Sequence, residues 1–323
     1  MKRFFLSLAC LLFAVSVRAE TIAPGLSVSQ LAPVLPGGST TSTFTAINPA
    51  TGDTWMSNGQ KLFRLGLGDW VQEIDLIATG ALGVNQVTTA LAFDSLGRFY
   101  VTNFTGGQIL RSVDGSSWEV FAFVDRARDF EFNAAGNLIA IGGNGDPTQL
   151  GHAWSISPLG VVTDFADTQG ETFTFSGDDL IIPHYVGTGI DRLTLAGNLT
   201  TLFAYERPVP ILFEALAISA LGNYVVSVNL GADITTLENQ SKVIRIDGLT
   251  GLRTDLVTDR TKIGVDMFFR ETGDLDLSDF GSLIATEISG NLDTAGLAVP
   301  EPSSLMLAGI GAVWLYGWRR NRK

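Results

Sequence analysis

Six side chains with cation-binding groups recur at comparable points along this 323-residue chain. Asp129, Glu171, Glu214 and Asp266 each fall just before or at the start of an apolar segment, and Asn103 and His184 each come four residues past an apolar position, Phe99 and Leu180. Carboxylates joined by an amide oxygen and an imidazole nitrogen suit Ca²⁺, or another divalent ion with water, if the fold brings them to one level. The bland possibility is that these acids are solvated or paired with Arg126, Arg128 and Arg192. No nucleophile arrangement stands beside them, because the only histidines are His152 and His184. No catalytic residue is assigned. The single cysteine, Cys10, excludes an intramolecular disulfide and a Cys-rich zinc site. The stretch Asp274-Leu275-Asp276-Leu277-Ser278-Asp279 has the acidity of a calcium loop. An EF-hand needs Gly at its sixth place and Glu at its twelfth, where this chain has Asp279 and Ala285. An acidic strand is the better expectation.

The elements that must position these groups repeat. An apolar alternating strand, a Gly-containing turn and a second apolar strand occur at Leu91–Val101, Phe130–Ile139, Phe173–Ile181 and Leu216–Val225, with weaker copies at Phe44–Trp55 and Met267–Leu277. The turn glycines stand at 52, 97, 136, 177, 222 and 273, at spacings of 45, 39, 41, 45 and 51. A second pair of strands follows each of the first five copies, and its first member repeatedly carries an apolar-Arg-apolar element, complete at Arg64 and Arg245, with an apolar neighbour on one side at Arg111 and Arg192. Short strands at a period of ~40–50 residues predict an all-β, six-bladed β-propeller with four strands per blade. The sixth copy lacks a strand, and Gly25–Leu31 precedes the first copy without a partner. We expect that segment to complete the last blade and fasten the ring, because open strand edges invite aggregation.

The blade rhythm over residues 26–295 resembles the six-bladed propellers of the NHL and gluconolactonase-like groups. The resemblance supports fold more than function. It implies a metal-dependent, lactonase-like hydrolase as one use of the central channel. The glutamate of those enzymes sits in a Glu-Gly-Pro-type motif that this chain lacks. The leading expectation is a non-enzymatic interaction scaffold.

Both ends read as sorting signals. Met1-Lys2-Arg3, an apolar run from Phe4 to Val17, and Ala19 form a secretory signal peptide over residues 1–19 for the Sec machinery, expected as a helix. At the other end, Pro300-Glu301-Pro302 precedes an apolar run from Leu305 to Trp318 and the cluster Arg319, Arg320, Arg322 and Lys323. Fourteen helical residues rise ~21 Å, a marginal span of the ~30 Å hydrocarbon core. The basic cluster acts as a membrane stop, because each cation costs roughly 2.5–3.5 kcal/mol at the bilayer centre. This tail, 299–323, resembles the PEP-CTERM sorting signal of Gram-negative bacteria. The resemblance implies an exosortase as partner, an inner-membrane-anchored precursor, and delivery to the cell surface or an exopolysaccharide matrix. Residues 20–298 are then the propeller domain, which binds exopolysaccharide or another surface protein. Without the two ends, seven of 21 basic residues and one of 33 acids, Glu301, are lost, leaving a charge near −18. Such a surface repels phosphate backbones, so nucleic acid is excluded as a partner. With 46% hydrophobic and 17% charged residues, the chain is not disordered.

Overall fold

The computed structural model describes residues 21–30, 45–67, 69–143, 151–168, 170–184, 189–204, 212–229, 241–260, 264–269, 273–279, 285–293 and 295. The expected signal helix at 1–19 and membrane helix at 299–323, with Pro300, Glu301, Pro302, Arg319, Arg320, Arg322 and Lys323, lie outside the described residues. Among those residues no helix is long and apolar enough to cross a membrane.

The chain opens with β1 (Thr21–Ile22) and β2 (Leu26–Gln30). A first sheet follows: β3 (Thr45–Ile47), β4 (Thr54–Ser57), β5 (Lys61–Leu65) and β6 (Trp70–Asp75). The second is β7 (Leu91–Phe93), β8 (Phe99–Asn103), β9 (Gln108–Ser112) and β10 (Glu119–Phe123). The third is β11 (Ala127–Phe132), β12 (Leu138–Gly142), β13 (Gly151–Ile156) and β14 (Val162–Thr168). The fourth is β15 (Thr174–Ser176), β16 (Asp179–Pro183), β17 (Gly189–Leu193) and β18 (Leu199–Ala204). The fifth contains β19 (Leu212–Ile218), β20 (Tyr224–Asn229), β21 (Ser241–Ile246) and β22 (Arg253–Arg260). The sixth contains β23 (Gly264–Phe269), β24 (Leu275–Asp279) and β25 (Ala285–Gly290). Asp274–Asp279 is thus mostly the strand β24, not a loop around an ion.

All pairings within these sheets are antiparallel neighbours in sequence, with two exceptions, and both come from the N-terminus. β2 pairs with β25 from Leu26↔Gly290 to Gln30↔Thr286 and supplies the fourth strand of the last sheet, as expected of residues 25–31. β1 pairs with β22 through Thr21↔Thr258 and Ile22↔Val257. The expectation of four strands in each repeat needs one correction: five of the sheets have four strands and the fifth has five. The reason is local. The turn at Ala23–Gly25 lets ten residues cross from one sheet to the next, and the Ala23 amide donates to the Leu256 carbonyl as they cross.

Among the described residues, five buried clusters lie between successive sheets. Tyr100, Ile109, Phe130, Leu138 and Trp154 join the second sheet to the third, and Ile139, Ile141, Phe173, Leu180 and Ile182 join the third to the fourth. Consecutive residues of β12 therefore enter different clusters. Successive side chains of a strand point to opposite faces, and both faces here are covered. That is why Leu138–Ile141 is a continuous apolar run rather than an alternating one.

Candidate functional site at the channel mouth

The first strands of the sheets surround a cavity of about 360 Å³ lined in part by Leu91, Phe93, Asp129, Phe130, Phe173 and Met267. Residues of β3, β7, β11, β15 and β23 all reach it, so it is the central channel. The connections between sheets enter at one end, which we term the mouth. The turns between first and second strands, and between third and fourth, lie at the other end.

The register separates residues that the sequence places at one level. β11, β19 and β23 each carry a one-residue bulge near the mouth: the pairing skips Arg128, Glu214 and Val265. Asp129 and Asp266 follow their bulges and are equivalent, whereas Glu214 is itself the bulged residue. A bulge re-aims the side chain it carries, so Glu214 does not hold the backbone position that Asp129 and Asp266 share. The side chains of Glu214 and Asp266 lie outside the described residues.

The remaining candidates are engaged inside the protein. Asp129 Oδ2 accepts from the Thr172 hydroxyl at 2.8 Å and from the Phe173 amide at 3.0 Å, which ties the third sheet to the fourth. Thr89 makes the uncharged counterpart one sheet earlier, its hydroxyl donating to the Ala127 carbonyl at 2.9 Å. Glu171 stands 3.3 Å from the Arg128 guanidinium, which also lies over the Phe104 ring. Asn103 donates to Gln86 Oε1 and Gln108 Oε1 and accepts from the Gly106 amide, so it shapes the β8–β9 turn. His184 Nε2 lies 2.8 Å from Asp191 Oδ2, off the line of a well-directed hydrogen bond. Both are buried, and by alternation with Leu180 and Ile182 they face the third sheet rather than the channel. Among the described residues, no three His, Cys, Asp or Glu side chains are placed to hold a metal ion.

Burial pushes the Asp129 carboxyl up to about 6, against the lowering effect of Thr172 and the Phe173 amide. Burial also raises Glu171, partly offset by Arg128. Burial acts to raise Asp191 as well, yet the His184 imidazole and the Thr201 hydroxyl hold it below the usual carboxylate range. The raised Asp129 has a consequence for stability. Its folded value exceeds its unfolded one, so the folded state holds the proton more tightly. That stabilisation is complete below about pH 4 and is lost as pH rises through about 6. Asp129→Asn keeps an acceptor for Thr172 and Phe173 without the charge. It should gain about 3 kcal/mol over the wild type at pH 8 and less than about 1 kcal/mol at pH 4. Urea unfolding at both values reads this, and an equal or opposite shift at pH 8 would show that Asp129 is not held in a desolvated site.

The sequence reading missed the contacts that hold the C-terminal end of the propeller. Arg245 is buried and donates through Nη1 to the carbonyls of Leu292, at 2.9 Å, and Asp293, and through Nη2 to Thr254. Asp293 Oδ1 in turn accepts from the Asn223 amide at 2.7 Å and from the Ser219 hydroxyl. The apolar-Arg-apolar element was the available signal. In the other sheets its arginine makes cross-strand ion pairs: Arg64 with Glu73, Arg111 with Glu119, Arg192 with Asp179.

Residues 298–323 match the PEP-CTERM protein-sorting motif. No curated protein matches the chain. Among solved structures, it is similar to a gluconolactonase from Xanthomonas campestris (13% identity, TM-score 0.60, covering 84% of this chain and 98% of that one). It is also similar to a calcium-binding protein, regucalcin, from Agrobacterium tumefaciens (12%, 0.58, 81% and 96%). A third is virginiamycin B lyase from Staphylococcus aureus (11%, 0.55, 82% and 99%). At these identities the likeness is one of fold. The chain is a β-propeller that ends in a PEP-CTERM sorting motif, which implies an exported, membrane-anchored precursor processed by an exosortase.

Proposed function

We propose that this protein is a non-enzymatic interaction scaffold of a Gram-negative cell surface or exopolysaccharide matrix. Its six sheets act as the six blades of a closed ring over residues 20–298. A signal peptide at 1–19 delivers the chain to the Sec machinery. The tail at 299–323, with Pro300, Glu301 and Pro302 as the recognised motif and Arg319, Arg320, Arg322 and Lys323 as the membrane stop, holds it for the exosortase. The sorting motif carries this reading. The engagement of Asp129, Glu171, Asn103 and His184 with neighbouring protein groups supports the non-enzymatic part, since ligands already satisfied within the fold bind a metal poorly. The exported domain then binds exopolysaccharide or another surface protein.

One observation favours a second reading, a metal-dependent lactonase-like hydrolase. Asp129 combines a raised proton affinity with a place on the wall of a cavity large enough for a small ligand. The two readings part in one experiment. The purified protein is dialysed, analysed for metal, and assayed on lactones and phosphoesters with Ca²⁺ or chelator. The scaffold reading expects no bound ion, no calcium shift of the melting midpoint and no turnover. Stoichiometric Ca²⁺ with chelator-sensitive hydrolysis, lost in Asp129→Ala, would replace it with the enzyme.

A further inference from the structure

The two ends of the propeller differ in chemistry. Among the described residues, nine of the fifteen large exposed apolar side chains lie on the turns opposite the mouth; Leu67, Leu96, Leu159, Leu221, Leu249 and Leu252 are six of them. Leu159 is 90% exposed and Leu249 99%. At the mouth end, among the described residues, only Val84, at 74%, and Phe123, at 69% on the last position of β10, are comparable.

These leucines are displayed in a regular way. The amides of Gly97, Gly160 and Gly222 donate to the carbonyls of Asp94, Ser157 and Ser219, closing tight turns. Each glycine has positive φ, and the residue before it is a leucine at the tip. Tips of this kind usually carry Gly, Asn, Asp or Ser. Charge is folded inward at the same turns. Asp94 Oδ1 accepts the amides of Leu96 and Arg98 while Oδ2 pairs with the Arg98 guanidinium, and Asp247 Oδ1 accepts the amides of Leu249 and Thr250.

The chain also leaves the propeller on this face. Gly290 pairs with Leu26 at the end remote from the mouth, and the Asp293 carboxylate is held by Ser219 and Asn223, beside the Leu221 tip. From residue 295 only nine residues separate the fold from the apolar run that starts at Leu305. Fully extended they span ~30 Å. A tail held in a bilayer therefore keeps the leucine face, not the mouth, near the lipid.

We propose that this face rests on the bilayer that holds the tail, with the separate leucine tips entering the headgroup boundary and the channel mouth turned outward. The inference rests on the membrane reading of the tail. Apolar residues set at spaced tips suit a fluid medium that closes around each one, whereas a folded protein partner presses on a contiguous, complementary patch. The acidic chain disfavours anionic lipid, so the surface is a zwitterionic one.

The test uses the full chain with Cys10→Ser, purified from membranes and reconstituted into phosphatidylcholine proteoliposomes. A single cysteine replaces Leu159, Leu249 or Val84 and carries an environment-sensitive fluorophore. Spin-labelled lipid should quench the probes at 159 and 249 at least about threefold more than the probe at 84. Leu67→Ser, Leu96→Ser and Leu221→Ser together should bring the probe at 249 back towards the level at 84. Equal quenching at all three sites, in a chain that resists alkaline carbonate, overturns the docking and leaves the anchor standing. A chain that carbonate extracts overturns the membrane reading of the tail, and the docking falls with it.

Discussion

Deletion of Thr21–Gln30 should abolish cooperative unfolding of the propeller or lower its stability by at least about 5 kcal/mol, a large share of the ~5–15 kcal/mol that holds a typical domain together. The segment contributes in three ways. It supplies five paired positions to β25 and two to β22. Its Ala23, Leu26 and Val28 pack on the cluster of Val243, Val257, Met267, Leu275 and Ile288. It also bridges two sheets that are otherwise joined by their own strands and by the Arg245 and Asp293 contacts. Without it, β25 and β22 both become open edges, which promote association. Thermal denaturation followed by circular dichroism, with light scattering, reads the effect. The single change Val28→Asp, which sets a charge against the same cluster, should cost about 2–3 kcal/mol. A deletion variant that melts at the wild-type midpoint would show that the ring does not depend on its N-terminal strands.

The second large effect is one of location. Removing Pro300–Lys323 should shift the protein from the membrane fraction to the soluble fraction or the medium. The apolar run and its basic end form a stop that water-soluble strands cannot replace. Drawing four cations through the bilayer is opposed by roughly 2.5–3.5 kcal/mol each. The leucine face alone gives only weak, reversible attachment, because a stable anchor needs more than one such signal. Fractionation with alkaline carbonate reads the shift. Undiminished membrane retention after the deletion would mean that the tail is not the anchor.

Much of the fold was legible because hairpins are local. Pairs such as Leu96-Gly97 and Leu221-Gly222 fix where a strand must reverse, since glycine takes positive φ at low cost. Their recurrence at a blade-sized interval pointed to the propeller. The closing role of residues 25–31 was legible for a different reason: the last repeat lacked a strand, and this segment was the unassigned one. The extra pairing of β1 with β22 was not, since two residues carry no pattern of their own.

The candidate site was less legible. Asp129, Glu171, Glu214 and Asp266 share a place in the repeat, but a one-residue bulge at Arg128, Glu214 or Val265 changes which side chain follows the ladder. A bulge leaves little trace in composition. His184 also looked like a channel residue until strand alternation turned it towards the third sheet.

By itself the sequence determined the repeat, the turns and the sorting tail, because each depends on residues close together along the chain. Only the tertiary structure decided which face carries Gly290–Asp293 and the leucines, that Arg245 and Asp293 join there, and that Asp129 and Glu171 are engaged by neighbouring protein groups. Those facts arise from residues 40 to 75 positions apart, and their meeting is set by how the ring closes and where its strands bulge.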